Sequence, residues 1–332
     1  MKRQVKFKQE TWPLLKPFVI ARGERKETHV VTLQIKENGV IARGEATPNT
    51  RYGETPQSVI QQLQQITPLL AAGLNRTELQ QVLPAGSARN AVDAALWDLE
   101  AKLYGKGVDQ LSALPWPEKI MTVQTISILS PEEMARDAKE LDGFPIIKVK
   151  LDANLILERV SAVHENAPDA KLLIDANESW TIDILKRVAP LLGNLGVIFI
   201  EQPLPAGQDQ MLASYSCPLP LGADESCHTR ADLNKLVGKY DVINIKLDKT
   251  GGLTEAIALM EEAKKLDLEI MVGCMLSSSL GIAPAMFLAS QAKYVDLDAP
   301  ALLKQDQAHN LTIRNGEMSP LNPRLWGGTF NY

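Results

Sequence analysis

Eight short β-rich runs follow one another at nearly even spacing between residues 118 and 305, and this repeat constrains the fold more than any other feature of the chain. The runs are MTVQTISI, PIIKVKL, KLLIDAN, GVIFIEQP, PLPLGADES, DVINIKLD, LEIMVGCM and KYVDLDAP, with amphipathic helical segments between them. The polar residues that end them, Lys150, Asp175, Glu201, Asp224, Lys246, Cys274 and Asp298, lie 25, 26, 23, 22, 28 and 24 residues apart. Strands alternating with helices form parallel βαβ units, and seven or eight near-equal steps are what a closed (β/α) barrel requires. A doubly wound sheet has no need of so many.

Before residue 118 the pattern differs. VKFKQETWPL and HVVTLQIKENG alternate, and NGVIARGEATP returns after an Asn-Gly turn, which predicts antiparallel strands. KPFVIARGER, with its Pro, Gly and arginines, is predicted as an exposed loop between the first two. Helical segments follow at roughly 55–73, at 76–83 and from Ser87, with Gly105 as a C-cap. The last stretch, NLTIRNGEMSPLNPRLWGGTFNY, reads as a hairpin and tail returning to the N-terminal part. The predicted fold is therefore α/β. An α+β cap covers 1–117, joined by the tail from about 306 to 332, and a barrel covers 118–305.

Charge excludes some partners. With 35 Lys and Arg against 40 Asp and Glu, the formal net charge is −5 and no basic block exists, so nucleic acid is not expected. No apolar stretch has the length of a membrane span, and MKRQVKFKQETWPLL does not read as a signal peptide. Three cysteines without metal spacing predict reduced thiols in a cytoplasm. Four scattered histidines predict that any metal is held by oxygen. A homo-oligomer stays open.

Residues at the C-terminal ends of barrel strands face the mouth. Asp175 ends LLID, Glu201 ends IFIE and Asp224 ends LGAD, so three successive strands each bring one carboxylate. Three clustered anions repel one another unless a cation sits among them. An all-oxygen set suits Mg²⁺, with Mn²⁺ as a substitute. The alternative is helix caps or solvated loop acids. Lys148 and Lys150 share one face of IIKVKLD, and Lys246 ends VINIKLD on the far side of the acids. Desolvation and a neighbouring cation are expected to lower an inward lysine's pKa and make it a general base, the alternative being a static ion-pair network. Two bases across a gap suit a 1,1-proton transfer. One would remove a proton α to a metal-bound carboxylate, and the other would return it on the opposite face.

With KVK, DANESW, EQPLP, ADES, NIKLDKTGG and DLDAP, the chain resembles the enolase superfamily in its muconate-lactonising-enzyme subgroup. Within it the chain is most similar to the dipeptide epimerases of the L-Ala-D/L-Glu type, over essentially its whole length. The resemblance implies a modified (β/α)7β TIM-type barrel under an α+β cap. It also implies a Mg²⁺-dependent epimerisation at the C-terminal residue of a small dipeptide, preferably L-Ala-D-Glu to L-Ala-L-Glu, in cell-wall peptide recycling. Asp175, Glu201 and Asp224 would be the metal ligands, and Lys150 and Lys246 the acid/base catalysts. Lys148 would polarise the substrate carboxylate and depress the pKa of Lys150. KPFVIARGER and TPNTRYGET would close over the mouth.

For the substrate, the resemblance assigns Asp296 and Asp298 to the dipeptide's ammonium, both carboxylates leaving the same face of one strand. Arg22, 23 residues before Glu45, would face the glutamate side chain, with Arg25 a near competitor. Thr125 would hydrogen-bond the substrate. Asn177, Glu178 and Gln202 would orient ligands from behind, and Cys274 stands near the mouth where a small polar residue is expected. One departure stands out: where several relatives carry a Glu, four residues after Gly273, this chain has Ser277. The rivals are epimerisation of other dipeptides, a cycloisomerase or o-succinylbenzoate synthase, and a non-catalytic barrel. The substrates of the second group carry no ammonium, and a non-catalytic barrel has no need of both lysines.

Overall fold

Alternating apolar and polar residues make three antiparallel strands at the start of this computed structural model, which describes residues 3–329. They are β1 (Gln4–Ile20), β2 (Gly23–Glu37) and β3 (Val40–Ala46). One face carries Val31, Leu33, Ile35 and Ala42 and is covered by α1 (Pro56–Ala72), α2 (Arg76–Val82) and α3 (Ser87–Tyr104). Thr55 and Asn75 cap α1 and α2 through reciprocal bonds with Ser58 and Glu78. β3 runs so close to α3 that a Cβ on Gly44 would collide with the Ala91 carbonyl oxygen. The other side of α3, with Ala94 and Trp97, joins the core of the barrel, so this helix is buried nearly all round.

The segment predicted as a loop, KPFVIARGER, is instead a hairpin tip. After a register shift between Pro13 and Phe18, pairing resumes as Phe18↔Arg25, Val19↔Glu24 and Ile20↔Gly23. Pro17 falls inside the shift, where no ladder bond is required of it, and Phe18, Val19 and Ile20 favour strand. The tip is stitched to the barrel. Ile128 N–H donates to Val19 O, and Lys16 Nζ reaches Asp137 and Glu140 at 2.9 and 3.0 Å.

A short helix α4 (Val108–Ser112) and β4 (Ile120–Met121) lead into eight parallel strands. These are β5 (Gln124–Ile126), β6 (Ile146–Lys150), β7 (Lys171–Asp175), β8 (Val197–Glu201), β9 (Leu221–Ala223), β10 (Val242–Ile245), β11 (Glu269–Gly273) and β12 (Tyr294–Asp296). They pair in sequence order, and a bond of 3.0 Å from Val123 N–H to Val295 O brings the last strand back to the first. The connections hold α5 (Pro131–Glu140), α6 (Ile156–Asn166), α7 (Ile182–Leu192), α8 (Leu247–Thr250), α9 (Leu253–Lys265), α10 (Ser279–Ile282) and α11 (Met286–Ala289). On either side of β9 the connection carries 3₁₀ turns, Gln210–Ser214 and Arg230–Lys235. The architecture is the expected TIM-type (β/α)7β barrel with an α+β cap.

The two-residue period sorts each strand. Leu173, Phe199, Val242, Met271 and Tyr294 pack together as an apolar plug inside the barrel. Two residues nearer the mouth stand Asp175, Glu201, Asn244 and Asp296, all buried. The outward residues Ile147, Val149, Ile174, Ile200 and Ile243 join the layer beneath the helices. One expectation is corrected here. β12 ends at Asp296, and Asp298 has helical dihedrals (φ −81°, ψ −5°) as the residue before α12 (Ala299–Leu302). Pro300 in the first turn favours a helix start, and the strand stops short of Asp298.

The tail forms a hairpin, β13 (Ile313–Arg314) and β14 (Glu317–Met318), which pairs with β4. It then reaches α3: Trp326 Nε1 donates to Ala94 O at 3.1 Å and Gly327 N–H to Asp98 Oδ1 at 2.9 Å.

Candidate active site

Register places the charged groups side by side. Lys150 pairs with Asp175 across β6 and β7, and Asp175 with Glu201 across β7 and β8. Lys150 Nζ lies 2.5 Å from Asp175 Oδ2. Lys148 Nζ, fully buried, lies 2.6 Å from Glu201 Oε2, 3.2 Å from Asp175 Oδ2 and 2.5 Å from Asp296 Oδ2. On the far side, Lys246 Nζ is 2.6 Å from Asp224 Oδ2. The acids thus stand between Lys150 and Lys246.

For Lys148 and Lys246 these carboxylate contacts work against the lowering of pKa expected from burial. Burial pushes Lys148 and Lys246 down, but the opposed charges of Asp296 and Glu201 on one, and of Asp224 and Glu201 on the other, outweigh it and hold both above the usual lysine range. The acids respond unequally. Against burial, Lys150 and Lys148 hold Asp175 low, and Lys246 and Lys249 hold Asp224 low. Glu201 is raised by burial and by the charge of Asp175.

Among the described residues, no three carboxylate, thiol or imidazole groups form a ready cage, because the lysine ammoniums carry the positive charge between the acids. Yet Glu201 Oε2, Asn177 Oδ1 and Asn244 Oδ1 are buried with no hydrogen-bond partner. Glu201 Oε2 is close to Lys148 without hydrogen-bond alignment. Carboxylate and amide oxygens with acceptor capacity left, and no imidazole or thiolate among them, fit Mg²⁺.

Above this layer lies a cavity of about 360 Å³ lined by Lys150, Lys246, Asp224, Asp296, Asp298 and Thr125 from the barrel, and by Phe18, Arg22, Arg25 and Tyr52 from the cap. Asp298 Oδ2 accepts the Thr125 N–H at 2.7 Å, and burial with the charge of Asp296 pushes Asp298 up to about 6. Thr125 therefore meets the site through its backbone. Arg22 reaches into the mouth but is tied down: Nη1 lies 2.7 Å from Glu225 Oε1, 3.2 Å from Glu178 Oε2 and 3.1 Å from Asn177 O. Arg25 lines the same cavity with no carboxylate partner among the described residues, and desolvation and Arg22 lower its pKa. Cys274 is kept a thiol, raised by burial and by Asp296 and Asp298.

Asn177 holds the Asp175 carboxylate through its own backbone, and Gln202 holds the backbone around Asp224 through its side chain. Asn177 N–H donates to Asp175 Oδ1, and Gln202 Oε1 accepts the Asp224 and Ser226 amides. Sequence reasoning missed Lys249. Its ammonium, fully buried, sits 2.6 Å from Asp224 Oδ1 and 3.0 Å from Asn244 O, fixing the acid on the side away from Lys246. The signal was present: Lys249 stands three residues after Lys246 in KLDK, one turn of α8. Arg51, Tyr52 and Glu225 were not singled out either, although TPNTRYGET, which holds the first two, was expected over the mouth, and Glu225 directly follows Asp224 in ADES.

Comparison with known proteins bears on this arrangement. Residues 132–323 match the family described as enolase C-terminal domain-like, and residues 2–112 match the mandelate racemase / muconate lactonizing enzyme N-terminal domain. The chain belongs to the mandelate racemase / muconate lactonizing enzyme family. Among relatives of this enzyme family is the L-Ala-D/L-Glu epimerase of Escherichia coli K12, 48% identical over 318 residues, covering 95% of this chain and 99% of that protein. An N-acetyl-D-glutamate racemase from Pseudoalteromonas is 42% identical, covering 91% and 96%. A family member from Agrobacterium tumefaciens with homology to dipeptide epimerases, solved with sodium and L-Ala-L-Glu, superposes with a TM-score of 0.95 at 44% identity, covering 98% and 100%. No helix of the described residues is long and apolar enough to cross a membrane.

Proposed function

We propose that the chain is a Mg²⁺-dependent dipeptide epimerase that inverts the α-carbon of the C-terminal residue, with L-Ala-D-Glu and L-Ala-L-Glu as the preferred pair. The observation that carries this reading is the placement of Lys150 and Lys246 on opposite flanks of Asp175 and Asp224, both opening into one cavity. The family likeness supports it. Residues 1–117 with the tail are taken as the cap, and 118–305 as the barrel.

Asp175, Glu201 and Asp224 are the residues assigned to hold the cation. When bound, Mg²⁺ supplies the charge that acidifies a proton α to a carboxylate, and Mn²⁺ suits the same oxygens. A carbon held between the two lysines presents one face to each. The neutral lysine takes the α-proton from its side and the protonated one gives a proton back on the other, with roles reversed for the opposite configuration. Lys148 keeps a fixed positive charge behind the acids. Asp298, oriented by Thr125 and next to Asp296, receives the substrate ammonium. Arg25 receives the side-chain carboxylate, with Arg22 beside it holding the rim. Three free cysteines suit a cytoplasmic setting, and breakdown or recycling of cell-wall peptides is the role such an activity serves.

The test is incubation with L-Ala-D-Glu and Mg²⁺ in D₂O, following the glutamate α-proton by NMR. Absence of exchange with every dipeptide tried would sink the epimerase reading. A second reading, racemisation of an N-acylated glutamate, is favoured by one contact: Asp296 is already committed to Lys148, so an ammonium would meet one free acid instead of the two expected. Faster exchange of N-acetyl-D-glutamate than of L-Ala-D-Glu would select it.

A further inference from the structure

Two cap segments and two barrel loops meet on one carboxylate. Glu178 accepts Arg51 Nε on Oε2 and Arg51 Nη2 on Oε1, both at 2.7 Å. Oε2 also accepts Arg22 Nη1 at 3.2 Å, and Oε1 the Ala206 N–H at 2.8 Å. Arg51 belongs to the turn Thr50–Tyr52, Arg22 to the β1–β2 tip, and Ala206 to the loop after β8. Among the described residues no other carboxylate binds both arginines; Glu225 holds Arg22 alone. The side chain is aimed by an unusual backbone. Asn177 and Glu178 have φ values of 43° and 70°, fixed by Asn177 N–H on Asp175 Oδ1 and Glu178 N–H on Gln202 O.

A bidentate guanidinium–carboxylate pair is directional, and a carboxylate shared by two guanidiniums fixes each relative to the other. We propose that Glu178 is a positioning residue that locks the β1–β2 tip to the Thr50–Tyr52 turn, so that the two segments open and close over the cavity as one. The same lock turns Arg22 and Arg51 toward the protein and leaves Arg25 as the guanidinium open to an anionic substrate group. Glu178 thereby sets where the substrate's negative charge can sit. This last consequence rests on the activity proposed above; the lock itself does not.

Amide hydrogen exchange on the full chain tests the lock. Glu178→Gln speeds exchange in both 18–25 and 49–54 by about tenfold, within the usual range of coupling between linked segments. Arg51→Met, although Arg51 makes no hydrogen bond to the tip among the described residues, also speeds exchange at 18–25, and adds nothing there in the Glu178→Gln background. Glu225→Gln speeds the tip alone. Faster exchange confined to the turn, or an Arg51→Met effect on the tip that persists without the carboxylate, overturns the proposal. In steady-state kinetics Glu178→Gln raises KM for L-Ala-D-Glu by at least about fivefold and leaves kcat within about twofold. An unmoved KM rejects the specificity role. A wild-type enzyme inert toward all dipeptides rejects the activity while leaving the exchange result to judge the lock.

Discussion

Lys148 and Asp296 form a buried ion pair, 2.5 Å between Nζ and Oδ2, that reaches across β5 inside the barrel. The same ammonium touches Glu201 and Asp175, so Asp296 belongs to the charged layer beneath the cavity as much as to its wall. Asp298 has no such tie. Its bond is to a backbone amide, and its other oxygen is available to a ligand.

The two acids should therefore fail differently. Asp298→Asn weakens a charge-assisted contact worth about 1.5–3 kcal/mol, a roughly 10- to 100-fold rise in KM for dipeptides with kcat little changed. Asp296→Asn removes a partner of Lys148 as well, and kcat should fall with it. Steady-state kinetics on both variants decides; identical profiles would contradict the division of roles.

Removing either flanking lysine should stop net inversion. Lys150→Ala and Lys246→Ala each lose roughly 100- to 10,000-fold in epimerisation, the usual share of a positioned acid or base. Each should still exchange the α-proton of one configuration in D₂O, a different one for each variant. Normal epimerisation by both would remove the two-base assignment.

Among the described residues Arg25 has no carboxylate partner, whereas Arg22 is tied to Glu225 and Glu178. Arg25→Met should cost acidic dipeptides about tenfold or more in kcat/KM and apolar ones far less. Arg22→Met should raise KM for both classes alike, by loosening the rim. A dipeptide panel measured by mass spectrometry separates these outcomes, and a selective loss in Arg22→Met alone would exchange the two roles.

The cap–barrel junction carries a pH dependence. Glu45, on β3, accepts the Ser278 N–H and hydroxyl, and burial pushes it up to about 8. A carboxyl raised in the folded state binds its proton more tightly there than unfolded, so its contribution to stability is greatest at low pH and declines as pH rises between about 4 and 8. Chemical denaturation across that range should show stability falling, by up to about 1.4 kcal/mol per pH unit from this one group. Glu45→Gln should flatten the slope. An unchanged slope would mean that Glu45 is not the group responsible.

The repeat made the strand ends legible because each end-of-run residue occupies an equivalent place, and Asp175, Glu201, Asp224, Lys150 and Lys246 could be read as neighbours at one rim. The rule that puts residues i and i+2 on one face holds only while the strand lasts, and Pro300 ended it before Asp298. The composition of KPFVIARGER hid a hairpin whose pairing is with β2 and whose support comes from Ser127, Ile128 and α5. The lysine pKa direction was not legible at all. It depends on which carboxylates converge on each ammonium, and for Lys148 one of them stands 148 residues away. That Arg22 is tied down and Arg25, three residues on, is not depends likewise on Glu178 and Glu225, in loops after β7 and β9.

Asn177, Glu178 and Gln202 all carry side chains on a left-handed backbone at the barrel mouth, with φ of 43°, 70° and 37°. For most residues that conformation costs about 1–2 kcal/mol, a burden glycine does not share. Selection for heat tolerance alone would favour glycine at these places. It would also strip out the carboxylate that holds two arginines and the amide that holds the Asp224 backbone. Ruggedness and turnover pull these positions in opposite directions, so the mouth is where this protein's evolution toward hotter surroundings would be most constrained.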